Sequence, residues 1–281
     1  MKVRDILKNT AERLKKADID TANLDAKLLL CKYLKKDKLY LVVNADEDIE
    51  VDEAFEKLVK RRETLEPMQY ILGKTEFYGL DFHVNKNVLI PRPDTEVLVE
   101  KVIDFVKDNS YTVLDIGTGS GCIPVTVAVN CKNAKAYTVD ISEAATKVAK
   151  ENAKLNGVED RVNFLNMDIL KDFPEMEFDC IVSNPPYIED EVIPTLMSDV
   201  KDFEPLIALA GGKDGLVFYR RISKKGFEGL KSGGMIAFEV GHTQSVAVAD
   251  ILKKDGYVNV QITNDLAGIG RVVTAIRGSF K

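Results

Sequence analysis

Across residues 1–75, apolar side chains recur three and four positions apart: Val3, Ile6, Leu7 and Leu14, then Leu24, Leu28, Leu29 and Leu30, then Phe55, Leu58, Val59 and Leu65. On a turn of 3.6 residues such positions share one face, so this segment predicts a small bundle of about four helices and no strand. Turn-prone breaks fall at residues 18–23 and 44–52, and Asp52 is placed to cap the third helix. The period changes after Lys74. Residues 76–84 alternate, break at Asn85-Lys86-Asn87 and resume at Val88-Leu89-Ile90, which predicts a β-hairpin over 76–90 linking two domains. Pro91-Arg92-Pro93-Asp94-Thr95-Glu96 then ends the extended run and opens a helix over 97–106. Proline is tolerated there because the first amides of a helix have no partner to lose.

From Tyr111 onward, short apolar runs at 113–116, 136–139, 162–165, 180–182 and 235–240 alternate with helical stretches. The clearest helix covers 142–156, with Ser142 as its cap and Gly157 just past its end. Continuous apolar strands separated by helices predict a mainly parallel sheet covered on both faces. Residues 257–262 and 271–276 have no helix between them, so they predict an antiparallel hairpin at the sheet edge. The fold class is therefore α/β, with a helical domain at 1–75 ahead of a larger domain at 91–281. No internal repeat or low-complexity segment is present.

Composition narrows the function. The 281 residues carry a net charge of −6, divided as +1 over residues 1–75 and −7 over the remainder. That balance argues against a protein that grips nucleic acid by neutralising many phosphates. Cys31, Cys122, Cys131 and Cys180 are scattered without a CxxC pair, and His83 and His242 are the only histidines. Reduced, half-buried thiols and no metal site are expected from that inventory. Residues 1–16 are charged and amphipathic, unlike a signal peptide. No run approaches the ~20 apolar residues that span a bilayer, so a soluble, cytoplasmic protein is expected.

The candidate chemistry sits at the strand ends. The first strand of the larger domain ends in Asp115-Ile116-Gly117-Thr118-Gly119-Ser120-Gly121 and runs into a helix. Alternate glycines let the backbone turn sharply and approach a ligand closely, and in open α/β sheets ligands lie beyond the carboxyl ends of the strands. The spacing differs from G-x-G-x-x-G, so a cofactor without phosphates suits this acid-rich loop better. The second strand ends in Asp140, placed to accept both ribose hydroxyls of an adenosyl group. The third ends in Asp168-Ile169, which could flank an adenine ring. Each tip alone also reads as ordinary turn or cap chemistry. Together, the three fit S-adenosyl-L-methionine, with S-adenosyl-L-homocysteine as product.

The fourth strand ends in Ser183-Asn184-Pro185-Pro186-Tyr187. Two prolines fix φ and remove two donors, leaving the Asn184 side-chain oxygen and the Pro185 carbonyl as fixed acceptors for the two hydrogens of a planar NH2 group. Tyr187 offers a flat face on which an amide or a base can lie. An amide nitrogen is a weak nucleophile because its lone pair is delocalised. Acceptors on both N–H groups stabilise the positive charge that grows as the methyl transfers, and they aim the lone pair. No strong base is needed beforehand, in keeping with the scarcity of histidine.

Residues 90–96, the 115–121 loop, Asn184 to Tyr187, Glu204-Pro205, Ala208-Leu209 and Gly211-Gly212-Lys213-Asp214-Gly215-Leu216 together resemble the protein-(glutamine-N5) methyltransferase family that acts on peptide chain release factors. The likeness runs the length of the chain and includes Gln69-Tyr70-Ile71-Leu72-Gly73. The Asn-Pro-Pro-Tyr element alone is shared with methyltransferases of adenine amino groups. The resemblance implies a class I, Rossmann-like domain with a seven-stranded, mostly parallel sheet. It implies methylation of the glutamine in a Gly-Gly-Gln loop of release factors, and a helical domain that docks that substrate. It also implies cofactor contacts at Gly117, Thr118, Gly119, Ser120, Gly121, Asp140, Asp168, Ile169 and Asn184. Glutamine contacts fall at Asn184, Pro185, Pro186 and Tyr187, with Asn184, Pro185 and Tyr187 catalytic. A monomer with neither membrane nor specific nucleic-acid partner is expected. The position after Asp168 is aromatic in some relatives and Ile169 here. Arg92, Thr95 and Glu96 either shape the mouth of the active site or serve the fold, Arg92 in a salt bridge and Glu96 in a first helical turn. An adenine-N6 methyltransferase and a non-catalytic adenosylmethionine-binding protein are the competing readings.

Overall fold

The computed structural model describes residues 1–278. The chain forms two compact units, one of Met1–Lys74 with Met197–Phe203, the other of Thr75–Leu196 with Glu204 onward. The smaller holds α1 (Val3–Lys16), α2 (Ala22–Leu34), α3 (Lys38–Val43), α4 (Glu53–Glu63) and α5 (Met68–Leu72). Five helices stand where about four were expected, because α3 and α5 span only six and five residues and are too short to show a period. Val3, Leu14, Leu29, Leu30 and Val59 are fully buried at its centre. Asp52 caps α4 by accepting from the Ala54 amide at 2.8 Å. Arg13 of α1 pairs with Glu56 at 2.7 Å and Glu63 at 2.9 Å on α4, and Arg62 pairs with the buried Asp25 at 2.8 Å.

The larger unit opens with β1 (Lys74–Phe77) and β2 (Leu80–His83), followed by α6 (Thr95–Val106). The expected hairpin over 76–90 is shorter than the alternation suggested. Tyr78 and Gly79 have φ of 52° and 72°, the left-handed pair of a two-residue turn, so the strands close around them. Residues 85–90 form a loop. Glu96 serves this turn, its carboxylate accepting from the Tyr78 amide at 2.8 Å.

Then come β3 (Thr112–Ile116), α7 (Cys122–Asn130), β4 (Lys135–Asp140), α8 (Glu143–Leu155), β5 (Val162–Asn166) and β6 (Phe178–Ser183). After α9 (Ser198–Lys201), which lies in the smaller unit, follow α10 (Val217–Gly229), β7 (Leu230–Glu239), α11 (Ser245–Lys254), β8 (Tyr257–Asn264) and β9 (Gly270–Arg277). The seven-stranded sheet runs β5-β4-β3-β6-β7-β9-β8. Pairings from β5 through β7 are parallel, and β9 lies antiparallel between β7 and β8.

Alternate residues feed two cores. Val113, Met235 and Ala237 join Leu98 and Val102 of α6 on one face; Leu114, Ile236 and Phe238 join Tyr219 of α10 and Leu252 of α11 on the other. Both faces are covered, which is why the strands read as apolar runs. The chain winds outward from β3 to β5 and then crosses to β6 on the opposite side of β3. The carboxyl ends of β3 and β6 therefore flank the crevice where the winding reverses. Cys131 and Cys180 are fully buried and Cys31 and Cys122 partly so; all four are free thiols. No helix among the described residues is long and apolar enough to cross a membrane.

Candidate active site

A cavity of about 270 Å³ opens in that crevice, near the lower end of ordinary ligand clefts (about 300–1,000 Å³). The loop after β3 forms one wall through Gly117, Thr118, Gly119 and Ser120. Its amides are pinned to the neighbouring strand, with Gly117 and Thr118 both donating to the Val139 carbonyl at 2.9 and 3.2 Å. Gly121 lies outside the wall. It caps α7 at φ +80°, and a Cβ there would meet Ala149 of α8 at 3.0 Å, so glycine is required for helix packing.

Beneath the loop, Asp115 is completely buried. Its carboxylate accepts from the Thr138 hydroxyl at 2.6 Å, Thr138 and Thr118 lie 2.5 Å apart through their hydroxyls, and Oδ1 has no partner. Burial pushes its carboxyl up to about 7, against the pull of Thr138. Asp140 accepts from the Gly119 amide at 2.9 Å with one oxygen and from Ser142 at 2.8 Å with the other. It holds the glycine loop and the start of α8 together while remaining in the cavity wall. Burial raises its carboxyl, opposed by those amides.

Asp168 and Ile169 also line the cavity. Asp168 accepts from Leu170 at 3.0 Å and pairs with Lys171 at 3.1 Å, and the lysine leads in holding its carboxyl below the ordinary range. Ile169 is buried and offers an aliphatic wall. Among the described lining residues Arg92 is the sole cation, and its guanidinium is already paired with the buried Glu204. An uncompensated phosphate would find Asp140 and Asp168 here and no spare cation. A neutral-sugar adenosyl group fits this donor set.

On the opposite wall stand Asn184, Pro185 and Pro186. The Asn184 amide nitrogen donates to the hydroxyl of Thr95, another lining residue, at 3.3 Å. That bond leaves the Asn184 side-chain oxygen free to accept, and no backbone amide among the described residues takes the Pro185 carbonyl. Ser183 anchors the corner by donating to the Ile116 carbonyl at 2.6 Å.

Residues 5–73 match the family described as PrmC N-terminal domain, and residues 93–200 match Methyltransferase small domain. A release factor glutamine methyltransferase of Clostridium acetobutylicum is 44% identical over the full length of both chains. One of Clostridium botulinum is 45% identical over 98% of this chain and 99% of its own. The chain belongs to the release factor glutamine methyltransferase family. A crystal structure of a methyltransferase from Pyrococcus furiosus, 23% identical over 72% of this chain and 91% of its own, superposes with a TM-score of 0.55 and shares the fold.

Within this methyltransferase Tyr187, the last residue of the corner, does not itself line the cavity. Its ring lies against Gly241 and the apolar core on the α10 side, and burial pushes its phenol up to about 12. Its backbone is clamped, with the carbonyl accepting from Gln244 Nε2 at 2.9 Å. Ile188 and Gly211 exchange backbone bonds with the 209–211 stretch and Ile188 respectively, at 3.0 and 2.8 Å. A Cβ on Gly211 would lie 2.7 Å from Tyr187 Cα, and one on Gly215 would lie 2.3 Å from its carbonyl oxygen. The glycine-rich 211–215 segment is thus the brace of the Asn-Pro-Pro corner. Sequence reasoning missed Gln244, Thr138 and Glu239 as site residues. Glu239 alone left a signal, a carboxylate ending an apolar strand.

Proposed function

We propose that this enzyme transfers a methyl group from S-adenosyl-L-methionine to the side-chain amide nitrogen of the glutamine in the Gly-Gly-Gln loop of peptide chain release factors. The reading rests on one observation above the others: Asn184 and Pro185 line the cavity, and the Asn184 amide nitrogen donates to the Thr95 hydroxyl, so the Asn184 oxygen and the Pro185 carbonyl are available as acceptors. Two such acceptors suit the two hydrogens of a primary amide. As the nitrogen gains positive charge they stabilise it, and they hold the lone pair toward the glycine-loop side where the donor would lie.

Bound at residues 117–120 and Asp140, S-adenosyl-L-methionine supplies an electrophilic methyl on a sulfonium sulfur. Asp140, whose oxygens keep lone pairs beyond those used by Gly119 and Ser142, would hold its ribose hydroxyls, and Ile169 would offer an aliphatic wall to its adenine. The proton leaves the nitrogen only after alkylation, when it has become acidic, so the corner itself needs no base. The helical unit docks the release factor.

Incubation of the enzyme with S-adenosyl-L-methionine and a purified release factor should add one methyl group to the glutamine of its Gly-Gly-Gln tryptic peptide, as read by mass spectrometry. Labelling of duplex DNA with no change in that peptide would instead establish an adenine methyltransferase. Replacing Asp140 with Ala should weaken S-adenosyl-L-homocysteine binding by roughly 1–3 kcal/mol, the penalty for polar groups left unpaired. Unaltered affinity in calorimetry rejects the ribose assignment.

A further inference from the structure

Glu239 ends β7 immediately after the buried Phe238 and is itself only 2% exposed, yet it does not line the cavity. Phe238 is in register with Ser183 on the parallel strand β6, so Asn184 and Glu239 leave adjacent strand ends side by side. Thr95, the first residue of α6, is equally buried and lies against both. The Asn184 amide nitrogen donates to the Thr95 hydroxyl at 3.3 Å, and both side chains lie close enough to the Glu239 carboxyl to pull it down against burial. Its Oε2 has no partner at all.

The two ends of an asparagine amide have nearly the same shape and opposite chemistry, and only the surrounding hydrogen bonds choose between them. An ionised carboxylate accepts and cannot donate. The Thr95 hydroxyl must therefore give its hydrogen to Glu239 and keep its lone pairs for a donor. The Asn184 nitrogen is the end that satisfies both. We infer that Glu239, through Thr95, is a positioning residue that locks the Asn184 amide with its oxygen toward the methyl acceptor. This deepens the reading of Asn184 as an acceptor for the glutamine amide and rests on it.

The charged and titratable groups around Glu239 come from every side: Asp94 from the start of α6, Arg271 from β9, Tyr187 from the corner, Tyr219 from α10 and Cys122 from α7. Burial carries its carboxyl up to about 7, opposed by Thr95, Arg271 and Asn184 and reinforced by Asp94. Below that pH the carboxyl gains a hydrogen of its own and can donate to the Thr95 oxygen. The threonine then no longer demands a donor from Asn184, and the amide is released to turn. Methyl transfer depends on the ionised form, so kcat should rise as pH increases through about 7.

The test is a double-mutant cycle of Glu239→Gln and Asn184→Ala in the intact enzyme. The readouts are kcat and KM with a purified release factor from pH 6 to 9, and S-adenosyl-L-homocysteine affinity by calorimetry. Asn184→Ala should lose about 100-fold or more in kcat, as for removal of one transition-state hydrogen-bonding group. Glu239→Gln should lose about 10-fold, in the range for partners that orient another ligand, keep cofactor affinity within about twofold and lose the pH break. Added to Asn184→Ala, it should cost nothing more. Thr95→Ser should restore most of the rate that Thr95→Val removes, which keeps the proposal testable if Glu239 variants do not fold. An unchanged pH profile in Glu239→Gln, or the same 10-fold loss in the Asn184→Ala background, overturns the positioning role and leaves the reading of Asn184 intact. Wild-type kcat in Asn184→Ala overturns that reading instead.

Discussion

Buried carboxyls at strand tips are costly to ionise, and Asp115 shows what that implies. An ordinary aspartate titrates near 3.8 and burial moves this one to about 7. Because the folded-state value is raised, the stability tied to Asp115 is fully present below pH about 4 and is lost as pH rises toward 7, where the unfolded chain ionises freely and the folded chain does not. Asp115→Asn should remove that slope. Between pH 4 and 8 its stability relative to the parent should move in its favour by a few kcal/mol, at about 1.4 kcal/mol for each pH unit separating the two titrations. Denaturant melts across that range measure it; parallel curves for the two proteins contradict a buried, neutral Asp115. The neighbouring Asp140 differs because two backbone amides meet its charge. One residue is expensive to ionise and the other is solvated by the loop it organises.

At the level of elements, the carboxyl ends of β3, β4 and β6 were readable from the chain because a strand tip followed by glycine, acid or proline is a local pattern. The helix after Ser142 was equally plain, since the Ser142 hydroxyl caps it by accepting from Ala145 at 3.1 Å. What local pattern could not show is how the 183–187 corner is held. The 209–215 segment clasps it through backbone bonds and through glycines too close for any side chain. Gly215→Ala would place a methyl against the Tyr187 carbonyl and Gln244 at φ +66°. We expect a loss of about 1–3 kcal/mol in stability, the usual cost of overpacking, with a fall in kcat that exceeds any change in cofactor affinity. Wild-type kcat in this variant contradicts the brace. The hairpin before α6 was misplaced for a related reason: alternation is unchanged by a turn, and only the paired positive φ of Tyr78 and Gly79 locates it.

For the whole molecule, every residue lining the cavity lies in the larger unit. A chain lacking Met1–Lys74 should therefore bind S-adenosyl-L-homocysteine within a few-fold of the intact protein while losing methylation of the release factor. Calorimetry and peptide mass spectrometry on the same preparation read both; full methylation by the truncated chain rejects a docking role for the helical unit.

The sequence by itself determined the periodicities, the alternation of strands and helices in the larger domain, and the chemistry at each strand tip, because these depend on residues within a few positions of one another. Tertiary structure alone decided that Asn184 meets Thr95 from 89 residues away and that Arg92 meets Glu204 from 112. It also packed the Tyr187 ring against Gly241 and placed Met197–Phe203 with the helices. Those outcomes depend on which strands become neighbours, and on burial that makes one hydrogen-bonded orientation far cheaper than another.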